Sequence, residues 1–401
     1  MTERASSQGV QPESAQPQSA QAPGEQVPST PAQRTQRGAP RPPAMTDVAR
    51  AANVSQKTVS RVVNGEPNVS DEVRARVQAA IDELGFRPNG AARALVTARS
   101  RVIGFVSTGS TLFGPTSMAV GVEQAARDAG YTVAVVHTRS GDPLDIGEAL
   151  DELASRGVDG IVVSEPADSL RPVRHTPPGV PVLALEHRPE ANDDWILVGA
   201  DDRQGARAAT EHLLALGHRT VWHVGGPEGW GTTHNRRSGW QDALEESGCA
   251  VPEVVHGDWT VGSGYEAGVL LASRPDVTAV FVANDDMAIG LVRAFERGGL
   301  DVPGDVSVVG FDDIAVASYL HVPLTTVRQD FGEIARQGMR RLLAEIEGRP
   351  VASRRSAVQV TLVVRESTAP PHPDRTPVHR APQAPTPVPD LDPVPDHDEE
   401  S

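Results

Sequence analysis

Two groups of side chains in this chain have types and spacings that could do chemistry. Gln56, Lys57, Ser60, Arg61 and Asn64 fall three or four residues apart in QKTVSRVVN, so they share one face of a short helix, with Val59, Val62 and Val63 at its back. An apolar back with a front of amide, hydroxyl and cationic groups suits the DNA major groove. The same pattern fits a plain helical hairpin with a solvated face. The second group is Asp168, Asn284 and Asp312, which follow expected strands, with Arg236 at the start of the helix NRRSGW and Trp259 in the loop HGDWTVGSG. Carboxylates, an amide and a guanidinium take the hydroxyl hydrogen bonds of a sugar, and an indole covers its C–H face. Strand-end capping or contacts between lobes would also account for Asn284 and Asp312, and Trp259 could simply pack a core.

Catalysis has little support. The chain has no G-x-x-x-x-G-K-[ST] loop and no G-x-S-x-G elbow. Its 12 histidines are scattered, without metal-ligand spacing, so no metal, cofactor or catalytic residue is expected. Asp312 and Asp313 resemble an acidic pair, but neighbours on an extended segment point apart. One is expected to face a ligand and the other to be structural.

The elements that must position these groups follow from composition and periodicity. A chain of 401 residues suits two or three domains. Many of its 34 prolines lie in two tails, residues 1–44 and 369–401, both read as disordered by composition. Arg34, Arg37 and Arg41 in the first tail could touch phosphate or belong to an inert extension. The only cysteine is Cys249, which excludes an intrachain disulfide and fits a reducing cytoplasm. No run of 18 apolar residues and no signal core appears, so neither membrane nor export is expected. The net charge of −16 argues against nucleic acid only until it is mapped. Met45 to Arg99 hold eight Lys/Arg against six Asp/Glu, so a mildly basic head precedes an acidic body.

That head, residues 45–88, reads as three helices. Thr46 is the expected first N-cap, Ala52-Asn53-Val54 the turn, and Ser55 the second N-cap. Ser70-Asp71-Glu72 opens a third helix that stops at Gly85. Residues 89–99 form a hinge or linker, with one or two helical turns too short to be stable alone. From Arg101 the pattern alternates strand and helix, as in βαβ units on parallel sheets. The expectation for 100–368 is a two-lobed core of effector binding and dimerisation. The chain is expected to cross between lobes near 198–200, 323–327 and 357–360.

DVARAANVSQKTVSRVVNG, then VS...R..V..AI.ELGFRPN, then ARALVTARS, resembles the DNA-binding head and hinge of the LacI/GalR family. The resemblance continues to about Thr368. It implies an α/β protein in which a helix-turn-helix head and hinge helix precede a core similar to periplasmic sugar-binding proteins. It also implies a dimer that binds a near-palindromic double-stranded operator and answers to a small sugar; a purine-type corepressor is the alternative, and a sugar-binding uptake protein a lesser one. On the DNA side it marks Thr46, Ser55, Gln56, Lys57, Thr58, Ser60, Arg61, Asn64, Asn89, Ala92 and Leu95. In the family the hinge folds on the operator and wedges a leucine into the minor groove, a position that Leu95 matches; Gly90 departs from the commoner choices. Arg236, Asn284 and Asp312 match inducer-contacting positions. Asp168, in SEPADS, and Trp259 match positions used for a galactoside. The C-terminal leucine heptads through which some members tetramerise are missing here.

Overall fold

The computed structural model describes residues 41, 43–87, 99–138, 143–164, 173, 175–185, 194–351 and 353–372. Asn89, Ala92, Leu95 and Asp168, with most of both tails, lie outside them. The chain divides into two compact units, Met1–Pro88 and Asn89–Ser401.

The first unit is built on α1 (Met45–Ala51), α2 (Gln56–Val63) and α3 (Asp71–Leu84). Thr46 is not the first cap. Asp47 accepts from the backbone N–H of Ala44 at 2.9 Å, and this carboxylate, reaching back, sets Ala44 as the N-cap and takes Thr46 into the first turn. Ser55 does cap α2, its Oγ accepting from the Thr58 N–H at 3.1 Å. Asn53 makes the intervening turn with φ 51°, a left-handed conformation that Asn tolerates better than most residues. Val48, Val59 and Val77, all fully buried, meet in the centre, closed by Ala52, Ala80 and Phe86.

The second unit has two six-stranded sheets. The first contains β1 (Val102–Ser107), β2 (Thr132–His137), β3 (Gly160–Val163), β4 (Val182–Ala184), β5 (Ile196–Ala200) and β11 (Arg355–Val358), in the order β11-β5-β4-β3-β1-β2, all parallel. The second contains β6 (Trp222–Gly225), β7 (Val255–His256), β8 (Ala279–Val282), β9 (Ser307–Asp312), β10 (Thr325–Arg328) and β12 (Thr361–Val363), in the order β12-β10-β9-β8-β6-β7. Only β12 runs antiparallel there. Strands β3, β5, β8 and β9 are buried along their whole length, as apolar runs covered on both faces must be.

The first lobe packs α4 (Phe113–Asp128) and α10 (Phe331–Ile346) on one face of its sheet and α5 (Pro143–Ser155) on the other. The second lobe packs α8 (Val261–Ala272) and α9 (Asp285–Gly298) on one face, and α6 (Asp202–Ala215) and α7 (Gly231–Glu246) on the other. Helices α8 and α9 touch backbone to backbone. A Cβ on Gly264 would stand 2.0 Å from the Met287 carbonyl oxygen, and one on Gly290 1.9 Å from that of Val261.

The chain passes between lobes after β5, after β10 and between β11 and β12. The second passage therefore falls at 329–330 rather than 323–327, because TTVR pairs with β9 as a full strand of the second sheet. The third passage divides the run VQVTLVV between the two sheets.

Candidate functional site

On the head, Gln56, Lys57 and Asn64 are exposed, and Thr58, Ser60 and Arg61 are half-buried. The outer face of α2 follows from its inner one: Val59 and Val62 bury, so the positions between them emerge. Arg61 Nε lies 3.5 Å from Glu66 Oε2, and Asn64 Nδ2 donates to Ser60 Oγ at 3.4 Å. Ser55 and Thr58 join their hydroxyls at 2.9 Å on the cap. Thr46 is exposed on α1.

In the core, strand ends from both lobes face a pocket that holds Arg236, Trp259, Asn284 and Asp312 together. Arg236 is its electrostatic centre. Its Nε donates to Asp202 at 2.9 Å, its Nη1 donates to the Ala283 carbonyl, and its Nη2 lies 3.6 Å from Asp312. The guanidinium carbon sits 3.8 Å from the centroid of the Phe311 ring. One buried cation thus lies between two buried carboxylates. Burial pushes the Asp312 carboxyl up to about 6, against the pull of Arg236 and of Gln329, which donates to it at 2.6 Å. Trp259 meets Trp230 with ring centroids 5.4 Å apart, making a continuous indole wall. Its own Nε1 is buried without a hydrogen-bond partner.

Asn284 is tied to its scaffold. Its Oδ1 accepts from the Met287 N–H and caps α9, and its Nδ2 donates to the Trp259 carbonyl, both at 3.0 Å. An amide keeps one further N–H for a ligand. The neighbouring Asp285 is structural: it accepts from the Ile314 N–H and the Thr326 hydroxyl, and burial pushes its carboxyl up to about 8. Asp312 and Asp313 divide as two roles would: Asp312 faces the pocket and Asp313 pairs with Arg328 and Arg365.

The first lobe supplies an apolar wall of Leu112, Phe113, Pro115, Met118 and Leu185, with Phe331 from α10 set edge-on to Phe113 at 5.8 Å. The cavity left is about 90 Å³, well under the ~300–1,000 Å³ of typical small-molecule sites. Sequence reasoning missed Asp202, Trp230 and Gln329. Asp202 follows a strand in ILVGADD, the signal that singled out Asn284. Trp230 follows one in TVWHVGGPEGW. Gln329 was hidden because the strand before it, TTVR, was not recognised. Among the described residues no group of three or more His, Cys, Asp or Glu could hold a metal ion, and no helix is long and apolar enough to cross a membrane.

A helix-turn-helix unit in one chain with a two-lobed core around a polar cleft defines a DNA-binding transcriptional regulator. Residues 44–89 match the family described as bacterial regulatory proteins, lacI family, and residues 210–368 match a periplasmic binding protein-like domain. The lactose operon repressor of Escherichia coli is 32% identical over 335 residues, 83% of this chain and 92% of that protein. The transcriptional regulator CelR of Thermobifida fusca is 34% identical over 337 residues, 82% of this chain and 98% of that one. A crystal structure of the lac repressor dimer bound to operator and an anti-inducer superposes with a TM-score of 0.72 at 32% identity, covering 82% of this chain and all of that one. A CelR–cellobiose complex superposes with a TM-score of 0.58 at 31% identity, covering 81% and 99%. The chain belongs to the LacI family. These relatives are transcriptional regulators rather than enzymes.

Proposed function

We propose that this protein is a dimeric repressor of sugar-utilisation genes, whose operator affinity is set by a small glycoside in the cleft between its lobes. The observation that carries the reading is the pocket itself: Arg236 between Asp202 and Asp312, beside the Trp230–Trp259 wall. Charged and amide groups fit sugar hydroxyls, and indoles fit the C–H face. The lac repressor dimer solved on its operator and the CelR complex with cellobiose support the same assignment by likeness. On the DNA side, Gln56, Lys57 and Arg61 read base edges from α2, and two heads address mirrored half-sites. Asn89, Ala92 and Leu95 belong to a hinge that orders on the operator, with Leu95 as the minor-groove wedge.

The effector acts by binding one lobe arrangement better than another, since equal affinity for both would shift nothing. A coupling of ~1–3 kcal/mol, about five- to 150-fold in operator affinity, is typical. A thermal-shift screen of the full chain against mono- and disaccharides, with nucleobases alongside, tests this. The expected result is stabilisation by a glycoside that also weakens operator binding in a gel shift. Stabilisation by a nucleobase alone would overturn the sugar reading.

A further inference from the structure

We propose that Arg365 and Arg328 are positioning residues for the effector cleft, clamping a strained dipeptide that aims Asp312 at the ligand. This rests on the sugar-cleft reading above. Asp312 and Asp313 are consecutive residues with φ of 111° and 57°, both in the region that L side chains rarely adopt. Such a pair persists only where its surroundings over-determine it. The surroundings here are specific. Arg328 Nε donates to Asp313 Oδ2 at 2.5 Å, and Arg365 Nη2 donates to Asp313 Oδ1, so each carboxylate oxygen has its own guanidinium. Arg365 is itself fixed: its Nη1 donates to the Leu324 carbonyl at 2.7 Å and its backbone N–H to Thr325 Oγ1 at 2.9 Å. Its side chain and that of Asp313 are 14% and 8% exposed, so the pair is little screened.

The consequence reaches the pocket through one peptide bond. With Asp313 held by the two guanidiniums, Asp312 meets other partners, Gln329 and Arg236. Arg328 and Gln329 are neighbours at the end of β10, where Arg328 lies in register with Asp312. The clamp therefore joins the pocket carboxylate to the chain as it leaves for the first lobe at 329–330. Arg365 comes from the segment after β12, which contributes nothing to the pocket lining itself.

The test is a double-mutant cycle of Arg365→Gln and Asp313→Asn, with Arg365→Lys as the conservative variant, all in the full chain. The probe is cellobiose or, if it fails to stabilise the wild type, whichever glycoside does so in the screen above. Calorimetry is expected to show tenfold or greater weakening for either single variant, partial recovery with Arg365→Lys, and no further loss in the double variant. Additive losses, or wild-type affinity in Arg365→Gln, would overturn the clamp. A ligand-free measurement stands beside it: the carboxyl ¹³C titration of Asp312, assigned by difference with Asp312→Asn. Its midpoint is expected to fall in Arg365→Gln as the side chain turns to solvent, and an unmoved midpoint also overturns the proposal. A wild type that binds no sugar while the midpoint moves defeats the sugar reading and leaves the clamp standing.

Discussion

Arg236→Ala withdraws the cation from between Asp202, 2.9 Å from its Nε, and Asp312, 3.6 Å from its Nη2. All three residues are less than 10% exposed, so solvent screens the loss very little. Removing one partner of a buried pair costs roughly 3–5 kcal/mol, against the about 5–15 kcal/mol that holds a typical domain folded. The loss has a pH signature that separates charge from packing. In the wild type, burial holds the Asp312 carboxyl up at about 6 while Arg236 pulls it down. Without Arg236 it rises further. Its unfolded value is ~3.9, so between that and the raised folded value the folded state binds more protons than the unfolded one. Stability then falls as pH rises through this window. The wild-type decline from this group ends near pH 6, and the variant's continues above it, adding ~1.4 kcal/mol for each further unit of pKa. Urea unfolding of the full chain at pH 5, 6, 7 and 8 reads the difference. The expected deficit is small at pH 5, where Asp312 is protonated, and approaches ~3–5 kcal/mol at pH 8. A deficit of equal size at every pH would refute the electrostatic reasoning and leave lost packing on Phe311 as the cause.

His223 is fully buried and stacked on Phe281 with centroids 4.8 Å apart, and burial pushes its imidazole down to about 3. Between there and the unfolded ~6.5 the unfolded state binds the extra proton, so this stability is present above that value and is lost as pH falls. His223→Phe is expected to move the acid midpoint of core unfolding, followed by circular dichroism, to lower pH. Gly264→Ala drives a Cβ to 2.0 Å from the Met287 carbonyl oxygen; it is expected to cost ~1–3 kcal/mol or more in urea unfolding, and an unchanged midpoint would show that α8 and α9 separate freely. Ser55→Ala removes the cap of α2; thermal melting of the head should show a loss of ~1 kcal/mol, and gel shifts a weaker operator complex.

Most elements of the fold were legible because apolar residues recur at two spacings. Runs such as GIVVS and AVFVA are too short for helices and too apolar for exposed strands, and GARAATEHLLALG and DDMAIGLVRAFERGG carry a helical stripe. What escaped notice was topological. TTVR has only one apolar residue in four, and its identity as a strand depends on pairing with β9, a partner that local sequence does not reveal. VQVTLVV looks continuous because both halves are β-formers, although they belong to different sheets. Thr46 misled because its hydroxyl suits a cap, while the deciding interaction was the Asp47 carboxylate reaching back to Ala44. In the site, the strand-end rule found Asn284 and Asp312 but not the use made of them. That Asn284 holds the Trp259 carbonyl, and that Asp202 is the nearer carboxylate to Arg236, are facts of packing between distant segments.

The threading of the two sheets has a consequence for synthesis. On the ribosome the head emerges first, and its three helices need nothing that follows to close their core. The lobes have no such independence. Strand β5 waits for β11 to pair with it and β10 waits for β12, so the first sheet lacks its last strand until Arg355–Val358 is made and the second until Thr361–Val363 is made. Open edges invite foreign strands. Nascent chains of this protein are therefore expected to pass through a long interval in which a finished DNA-binding unit is tethered to an unfinished, aggregation-prone body. Truncation ahead of Arg355 would make that interval permanent for both lobes at once, rather than deleting one and sparing the other.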